Sequence, residues 1–394
     1  MIPHEEAQAR VLALVSPLTV ETVPLREAAG RVLAEPVLAE RDQPPFDASV
    51  MDGYAITAAD HHAGAKLRVI GEAGAGHAHA GRLSPGEALR IFTGAPVPQG
   101  AAAVVPQEDT SRNGTLVTLA HVDPASSYIR PRGGDFAVGT TLAAPRRLSP
   151  ADLALIAAMN RPDVRVHRRP VVAIVATGDE LVMPGETPRP DQIVSANSFA
   201  LAAMIEAEGG IARILPLARD EFDALRTVLD LTAGADLIVT IGGASVGDHD
   251  LMSQRGEDLG LDLEFHRIAL RPGKPLMAGR RGNVPLLGLP GNPASAMVCA
   301  ALFLLPMLRA MQGHPDPLPR PRTARLARDI AGNGNRAHFM RARLEETGAL
   351  PLLHPAESQD SSLIAVLSGS NALLFRPIGD PARKAGETVT WFPF

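Results

Sequence analysis

The chain has 394 residues, of which 45% are hydrophobic and 21% charged, with a formal net charge of −5 and a single cysteine. At about 150 residues per domain this length predicts two to four domains with sizeable cores. The near-balanced charge excludes a nucleic-acid binder that relies on global positive charge. A lone cysteine excludes an intrachain disulfide framework. It also excludes a zinc site built from four cysteines, or from two cysteines and two histidines.

Glu5 and Glu6 stand where a signal peptide would carry basic residues, so a cytoplasmic protein is expected. The longest apolar run, Ala294 to Leu308, falls short of the roughly 20 residues that span a bilayer and reads as a buried helix. Cys299 lies inside it and reads as a small buried hydrophobe rather than a nucleophile. Neither membrane nor nucleic acid is expected as a partner.

Residues 1–40 read as helix-rich, with Val11, Leu12 and Val15 at helical spacing and a second short helix near Leu25. Gln43-Pro44-Pro45-Phe46 stiffens the chain for a domain crossing. Short strands follow, among them Leu67–Ile70, Ala88–Ile91 and Thr115–Thr118, separated by Gly, Pro and Asp turns. Ser149-Pro150-Ala151-Asp152 starts a helix, with Ser149 as N-cap, Pro150 at the first position and Leu153, Ile156 and Ala157 as its apolar stripe. Because this helix follows the strands, it can rejoin the N-terminal segment. The expectation is a helical linker domain (1–40 and 130–166) interrupted by an inserted β domain (41–129).

From residue 167 to 312 strand and helix alternate. Pro170–Val175, Ile211–Leu217, Asp236–Ile241 and Val284–Leu289 read as strands; Ser198–Glu208, Phe222–Leu229 and 294–308 read as helices. This predicts a three-layer α/β domain with a mostly parallel sheet. The proline-rich stretch His314–Pro321 then links to a C-terminal β domain spanning 313–394.

Ligands of such sheets bind at the carboxyl ends of the strands. Four loops fall there. Thr177-Gly178-Asp179-Glu180-Leu181 and Gly242-Gly243-Ala244-Ser245-Val246-Gly247-Asp248-His249-Asp250 each follow a strand. Arg271-Pro272-Gly273-Lys274-Pro275 and Leu289-Pro290-Gly291-Asn292-Pro293 complete the set. Gly242, Gly243 and Gly247 let backbone N–H groups converge on an anion, and Ser245 adds a hydroxyl. Asn292 can cap the following helix, leaving N–H groups free at its positive end. Lys274 and Arg271 supply cations, and Glu180, Asp248 and Asp250 supply hard oxygens for magnesium. The set suggests a metal-assisted phosphate site, although each loop alone is ordinary turn chemistry. Gly71–His77 does not complete a dinucleotide fingerprint, and Pro275 breaks a P-loop after Gly273-Lys274. Asp52-Gly53 by itself reads as a hairpin turn. His77 and His79 lack a third ligand in reach.

Met51-Asp52-Gly53-Tyr54-Ala55, Thr93–Pro98, Arg132-Gly133-Gly134-Asp135 and the four loops together, seven motifs in order over essentially the whole chain, resemble the molybdopterin molybdenumtransferase family, the bacterial counterpart of the gephyrin E-domain. The resemblance implies a molybdopterin-binding type of α/β domain and an elongated homodimer. It implies the insertion of molybdate into adenylylated molybdopterin, with release of AMP and with magnesium as cofactor. It implies a cleft shared between the α/β domain of one subunit and the β domains of the other. Catalytic roles fall to Asp52, Glu180, Asp250 and Lys274. Substrate contacts fall to Thr93, Asp135, Asp220, Gly243, Ser245, Asp248, Arg271, Pro290, Asn292, Ser361 and Arg341, with Arg336 a further oxyanion contact. The metal falls to Glu180, Asp248 and Asp250. Asp47 stands where the family pattern carries an amide. The upstream adenylyltransferase is a further candidate partner. Rival readings are a non-catalytic molybdopterin-binding scaffold, the adenylyltransferase itself, and a pyridine-nucleotide oxidoreductase, which the missing glycine fingerprint disfavours.

Overall fold

The computed structural model describes residues 1–243, 251–346 and 348–394. Its central sheet runs Ile211–Ile214, Val171–Ala176, Leu237–Ile241, Val284–Leu289, Met277–Arg281, Leu261–Phe265. The first four strands are parallel and the last two pair antiparallel. Apolar residues fill Val171–Ala176 and Leu237–Ile241 without alternation because both faces of the sheet are covered. One face packs on Leu201 and Ile205 of the helix Asn197–Ala207 and on the apolar helix after Asn292. The other packs on Leu225, Val228 and Leu229 of the helix Phe222–Asp230. The three-layer α/β reading therefore holds.

The apolar run forms a continuous helical stretch, Pro293–Cys299, a π turn Ala300–Leu304 and Leu305–Met311. Pro306 lacks an N–H and would crowd the carbonyl four residues back in a regular α-helix. The wider turn before it accommodates the ring. Phe303 is fully buried there, and truncating such a side chain costs about 3–5 kcal/mol.

The helix-rich reading of residues 1–40 is corrected. They carry one α-helix, His4–Ala13, and a single 3-10 turn at Leu25–Glu27. Ala7 and Val11 pack into the α/β core, so this helix belongs to that unit and not to a linker. The linker is built on a four-stranded sheet ordered Val20–Pro24, Asp163–His167, Val32–Leu33, Arg146–Arg147. Val164 and Val166 alternate inward with period two, as a half-buried strand requires. Its one α-helix, Pro150–Ala158, starts as read: Ser149 and Asp152 form a reciprocal capping box with Pro150 at the first turn. Ile156 and Met159 face the core, whereas Ala157 is exposed.

The chain leaves and re-enters this sheet side by side. Ala48–Ser49 pairs with Ile129–Arg130, and Gln43 bridges Phe136. Between them a six-stranded sheet runs Ala103–Pro106, Gly53–Ile56, Glu87–Ile91, Lys66–Ala73, Leu116–Leu119, Thr110–Asn113. At the C-terminus, Ala337–Glu345 pairs with both Leu352–Pro355 and Ala372–Arg376, closing a barrel through Arg322–Leu326 and Thr388–Pro393. The short strand Leu270–Arg271 joins the barrel edge, Arg271 opposite His338, and ties the barrel to the α/β domain.

Candidate active site

A cleft of ≈ 620 Å³ opens at the carboxyl ends of the parallel strands, a size suited to a small-molecule ligand. Its walls include Thr177, Glu180, Asn197, Gly242, Gly243, Pro275, Pro290, Asn292 and Ser362. A larger hollow of ≈ 1030 Å³ lies elsewhere, lined by Met204, Met297, Leu305 and Phe394. It also carries Arg147, Arg309, Arg320 and Arg322, but it has neither the Gly242-Gly243 turn nor the Asn292 helix end, so the ligand-binding loops read from the sequence converge on the smaller cleft.

Glycine is required at the turn after the strand Leu237–Ile241. Gly242 and Gly243 have φ of +88° and +62°, and a Cβ on Gly242 would sit 2.7 Å from the Thr177 carbonyl oxygen. The Gly242 N–H donates to Leu289 O, so it is not available to an anion. Thr177 Oγ1, buried beside these glycines, has no hydrogen-bond partner among the described residues. Glu180 is exposed, with its carboxylate folded over Gly178, where a Cβ would lie 2.5 Å from Oε2. Ser245, Asp248 and Asp250 lie outside the described residues.

Asn292 occupies the N-cap position and Pro293 the first turn, but the Asn292 side chain does not cap its own helix. Its Nδ2 donates instead to Ser361 Oγ at 3.1 Å, and the Ala294 N–H donates to Ser361 O at 3.0 Å. The helix end is thus finished by a loop from the barrel, which partly corrects the expectation of free N–H groups. Asn197 Nδ2 donates to Gly291 O at 2.7 Å and holds the Pro290–Asn292 turn, while its buried Oδ1 is unpartnered among the described residues. Asn197 and Thr177 were not singled out from sequence as contacts. Asn197 opens a helix with no motif around it, and Thr177 begins the Thr177–Leu181 loop, in which the carboxylate of Glu180 draws the attention.

Lys274 and Arg271 are exposed and do not line the cleft, although Pro275 of the same loop does. The loop is held by Gly273, at φ +111°, where a Cβ would fall 2.3 Å from Cys299 Sγ. Lys274 makes no ion pair among the described residues. Beside Arg271, the buried His338 imidazole is pushed down to about 3 by burial and then by Arg271, Arg376, Arg336 and Arg341. It is neutral at physiological pH and leaves the arginine charge undiluted.

Arg341 does not reach the cleft. It is 1% exposed and donates to the carbonyls of Ser358, Asp360 and Leu363, which corrects its assignment as a substrate contact. Arg336 is half-buried and does not line the cleft. Asp220 is exposed and its N–H donates to Asp179 Oδ1 at 3.3 Å, near but outside the cleft walls.

Asp52, Thr93 and Asp135 form no part of the cleft either. Asp52 Oδ1 accepts from Thr93 N and Oγ1, which hold its pKa below the ordinary carboxylate value, with Arg90 assisting against slight desolvation. Asp52 is therefore no hairpin turn: Gly53 begins a strand, and a Cβ there would strike Val105 O at 2.0 Å. Asp47, where an amide was the pattern, uses its carboxylate to accept the Arg132 N–H at 2.8 Å. Asp135 is exposed at the crossing to the linker. Among the described residues no cluster of three metal-ligating side chains is present.

The family description "MoeA N-terminal region (domain I and II)" matches residues 2–160, "Probable molybdopterin binding domain" matches 173–310, and "MoeA C-terminal region (domain IV)" matches 323–394. The chain is 35% identical over 381 residues to the molybdopterin molybdenumtransferase of a Nostoc species, covering 94% of this chain and 87% of that one. It is 32% identical over 404 residues to the Haemophilus influenzae molybdopterin molybdenumtransferase, covering 100% and 99%. The solved molybdopterin biosynthesis MoeA protein of Pyrococcus horikoshii superposes with a TM-score of 0.83 at 28% identity, covering 100% of both chains. With its cleft at the strand ends of the matched molybdopterin-binding domain, and Ser362 of the matched C-terminal region in its wall, this chain belongs to the MoeA family of molybdopterin molybdenumtransferases.

Proposed function

We propose that this chain inserts molybdate into adenylylated molybdopterin, yielding molybdenum cofactor and AMP. The observation that carries the reading is the cleft itself, which brings the Gly242-Gly243 turn, Glu180 and the Asn292 helix end together within the region matching a molybdopterin-binding domain. The substrate's phosphates belong at the helix end, where the Asn292 amide and the helix dipole favour negative charge. Lys274 and Arg271 draw in the molybdate dianion from the neighbouring loop. Because the whole chain is net negative, that attraction has to be local.

Glu180 fits magnesium: it is an exposed hard-oxygen donor with no cationic partner among the described residues. Magnesium takes one or two carboxylates together with substrate phosphates and water, so Glu180 with Asp248 and Asp250 is a sufficient proposed set. The ion would neutralise charge on the phosphate bridge. Asp52, Thr93 and Asp135 stand apart from the cleft of their own chain, which supports a homodimer in which they complete the partner's site.

The test is to incubate the chain with adenylylated molybdopterin, molybdate and magnesium and ask whether the product activates a molybdenum-free molybdoenzyme. Activation is expected. Formation of adenylylated molybdopterin from molybdopterin and ATP, with no molybdenum transfer, would overturn the reading in favour of an adenylyltransferase.

A further inference from the structure

Arg341 is the largest of the fully buried side chains, yet it forms no ion pair among the described residues. Its guanidinium donates to Leu363 O at 3.3 Å, Ser358 O at 3.4 Å and Asp360 O at 2.9 Å, and its Nε is unpartnered among the described residues. Its main chain grips the same segment. Arg341 N donates to Gln359 Oε1 at 2.9 Å, and Gln359 Nε2 donates back to Arg341 O at 3.0 Å. Asp360 Oδ1 accepts from both the N–H and the hydroxyl of Ser362. One barrel residue thus holds the 358–363 loop at Ser358, Gln359, Asp360 and Leu363.

A buried cation is costly unless its donors are used, and here three of them are spent on carbonyls of a single loop. The loop's outward product is Ser361, whose hydroxyl receives the Asn292 amide and whose carbonyl receives the Ala294 N–H. Its neighbour Ser362 lines the cleft. An anion at this helix end meets the donors this contact leaves free, the second Nδ2 hydrogen of Asn292 and the Ser361 hydroxyl hydrogen, and the contact sets their direction.

We propose that Arg341 is a positioning residue for the substrate's phosphate end: through the 358–363 loop it fixes Ser361 against Asn292 and Ala294 and so aims the donors of the cleft. This inference rests on the proposed function, in that it assigns the phosphates to the Asn292 end.

The test compares Arg341→Met, Arg341→Lys, Asn292→Ala and the Arg341→Met/Asn292→Ala double variant. It measures KM and kcat for adenylylated molybdopterin, the Kd for AMP alone, and amide exchange at Ala294 and across 358–363. Arg341→Met is expected to raise KM and the AMP Kd about tenfold while kcat changes less than about threefold, since only binding geometry is lost. Arg341→Lys, which keeps a cation but not the planar fork, recovers part of the loss. In the Asn292→Ala background Arg341→Met adds less than about twofold, because the route through Asn292 is already gone. An unchanged KM with faster exchange in 358–363, or the same tenfold loss in both backgrounds, would overturn the proposal. If Arg341→Met fails to fold, Gln359→Ala loosens the same loop and is held to the same outcomes. If the wild-type chain proves inactive, the AMP Kd and Ala294 exchange still decide this proposal while the functional reading falls.

Discussion

Asp52 Oδ1 accepts two hydrogen bonds from Thr93, from its amide and its hydroxyl, each at 2.8 Å. One carboxylate oxygen is therefore committed to holding the turn at Thr93. Asp52→Asn keeps an oxygen that can accept both bonds, so the thermal midpoint is expected to stay within about 2 °C while the charge is lost. Turnover is expected to fall at least about tenfold if the charge serves the partner's site. Mixing inactive Asp52→Ala and Glu180→Ala chains should restore activity in the hybrid dimer. No recovery on mixing, with dimers verified by light scattering, would show that the sites are not shared.

Asn292→Asp separates helix stability from anion binding. The Asn292 side chain does not cap its helix, so no cap is lost; a carboxylate there suits the helix dipole and can accept from the Ser361 hydroxyl in place of the Nδ2 donation, so the thermal midpoint should hold within a few degrees. The added charge repels phosphate, and KM for adenylylated molybdopterin should rise about tenfold or more. An unchanged KM would move the phosphates away from this helix end.

Lys274 is exposed, unpaired among the described residues and carried on a loop whose Gly273 packs on Cys299. Lys274→Ala should raise the molybdate concentration for half-maximal rate about tenfold and leave the thermal midpoint nearly unchanged, since surface substitutions rarely move stability. Lys274→Arg should rescue only in part, because a planar fork is not a compact point charge. Unchanged molybdate dependence would reduce the loop to scaffolding.

His338 gives a pH signature. In the folded chain its pKa is about 3, against 6.5 for the ordinary group. Between these values the unfolded chain holds the extra proton, so stability is present above 6.5 and is lost as pH falls toward 3, by up to about 1.4 kcal/mol per pH unit. His338→Gln removes this titration. From pH 6.5 to 5.0, wild type should lose up to about 2 kcal/mol more than the variant in urea unfolding. His4 and His314, also lowered, titrate in both chains and cancel. Parallel profiles would contradict a buried neutral imidazole.

The α/β domain was legible because its strands are unbroken apolar runs and its helices carry readable ends, such as the Ser149 capping box next door and Pro293 after Asn292. The linker sheet was not. Val32–Leu33 and Arg146–Arg147 are two-residue strands whose pairing spans more than a hundred positions, too short to hold a period. Barrel closure was hidden for the same reason, since the pairing of Ala337–Glu345 with two different strands is a long-range choice. At the site, local chemistry predicted that Asn292 would cap its own helix. Tertiary contact with Ser361 won, and Arg341, which the family resemblance placed against the substrate, is buried behind that loop and holds it by its carbonyls.

Molybdate-dependent cleavage of adenylylated molybdopterin is read directly as AMP release by the purified chain with molybdate and magnesium each present or withheld. AMP is expected only when both are supplied, with loss in Glu180→Ala. Full AMP release without molybdate, or full turnover in excess chelator, would contradict it.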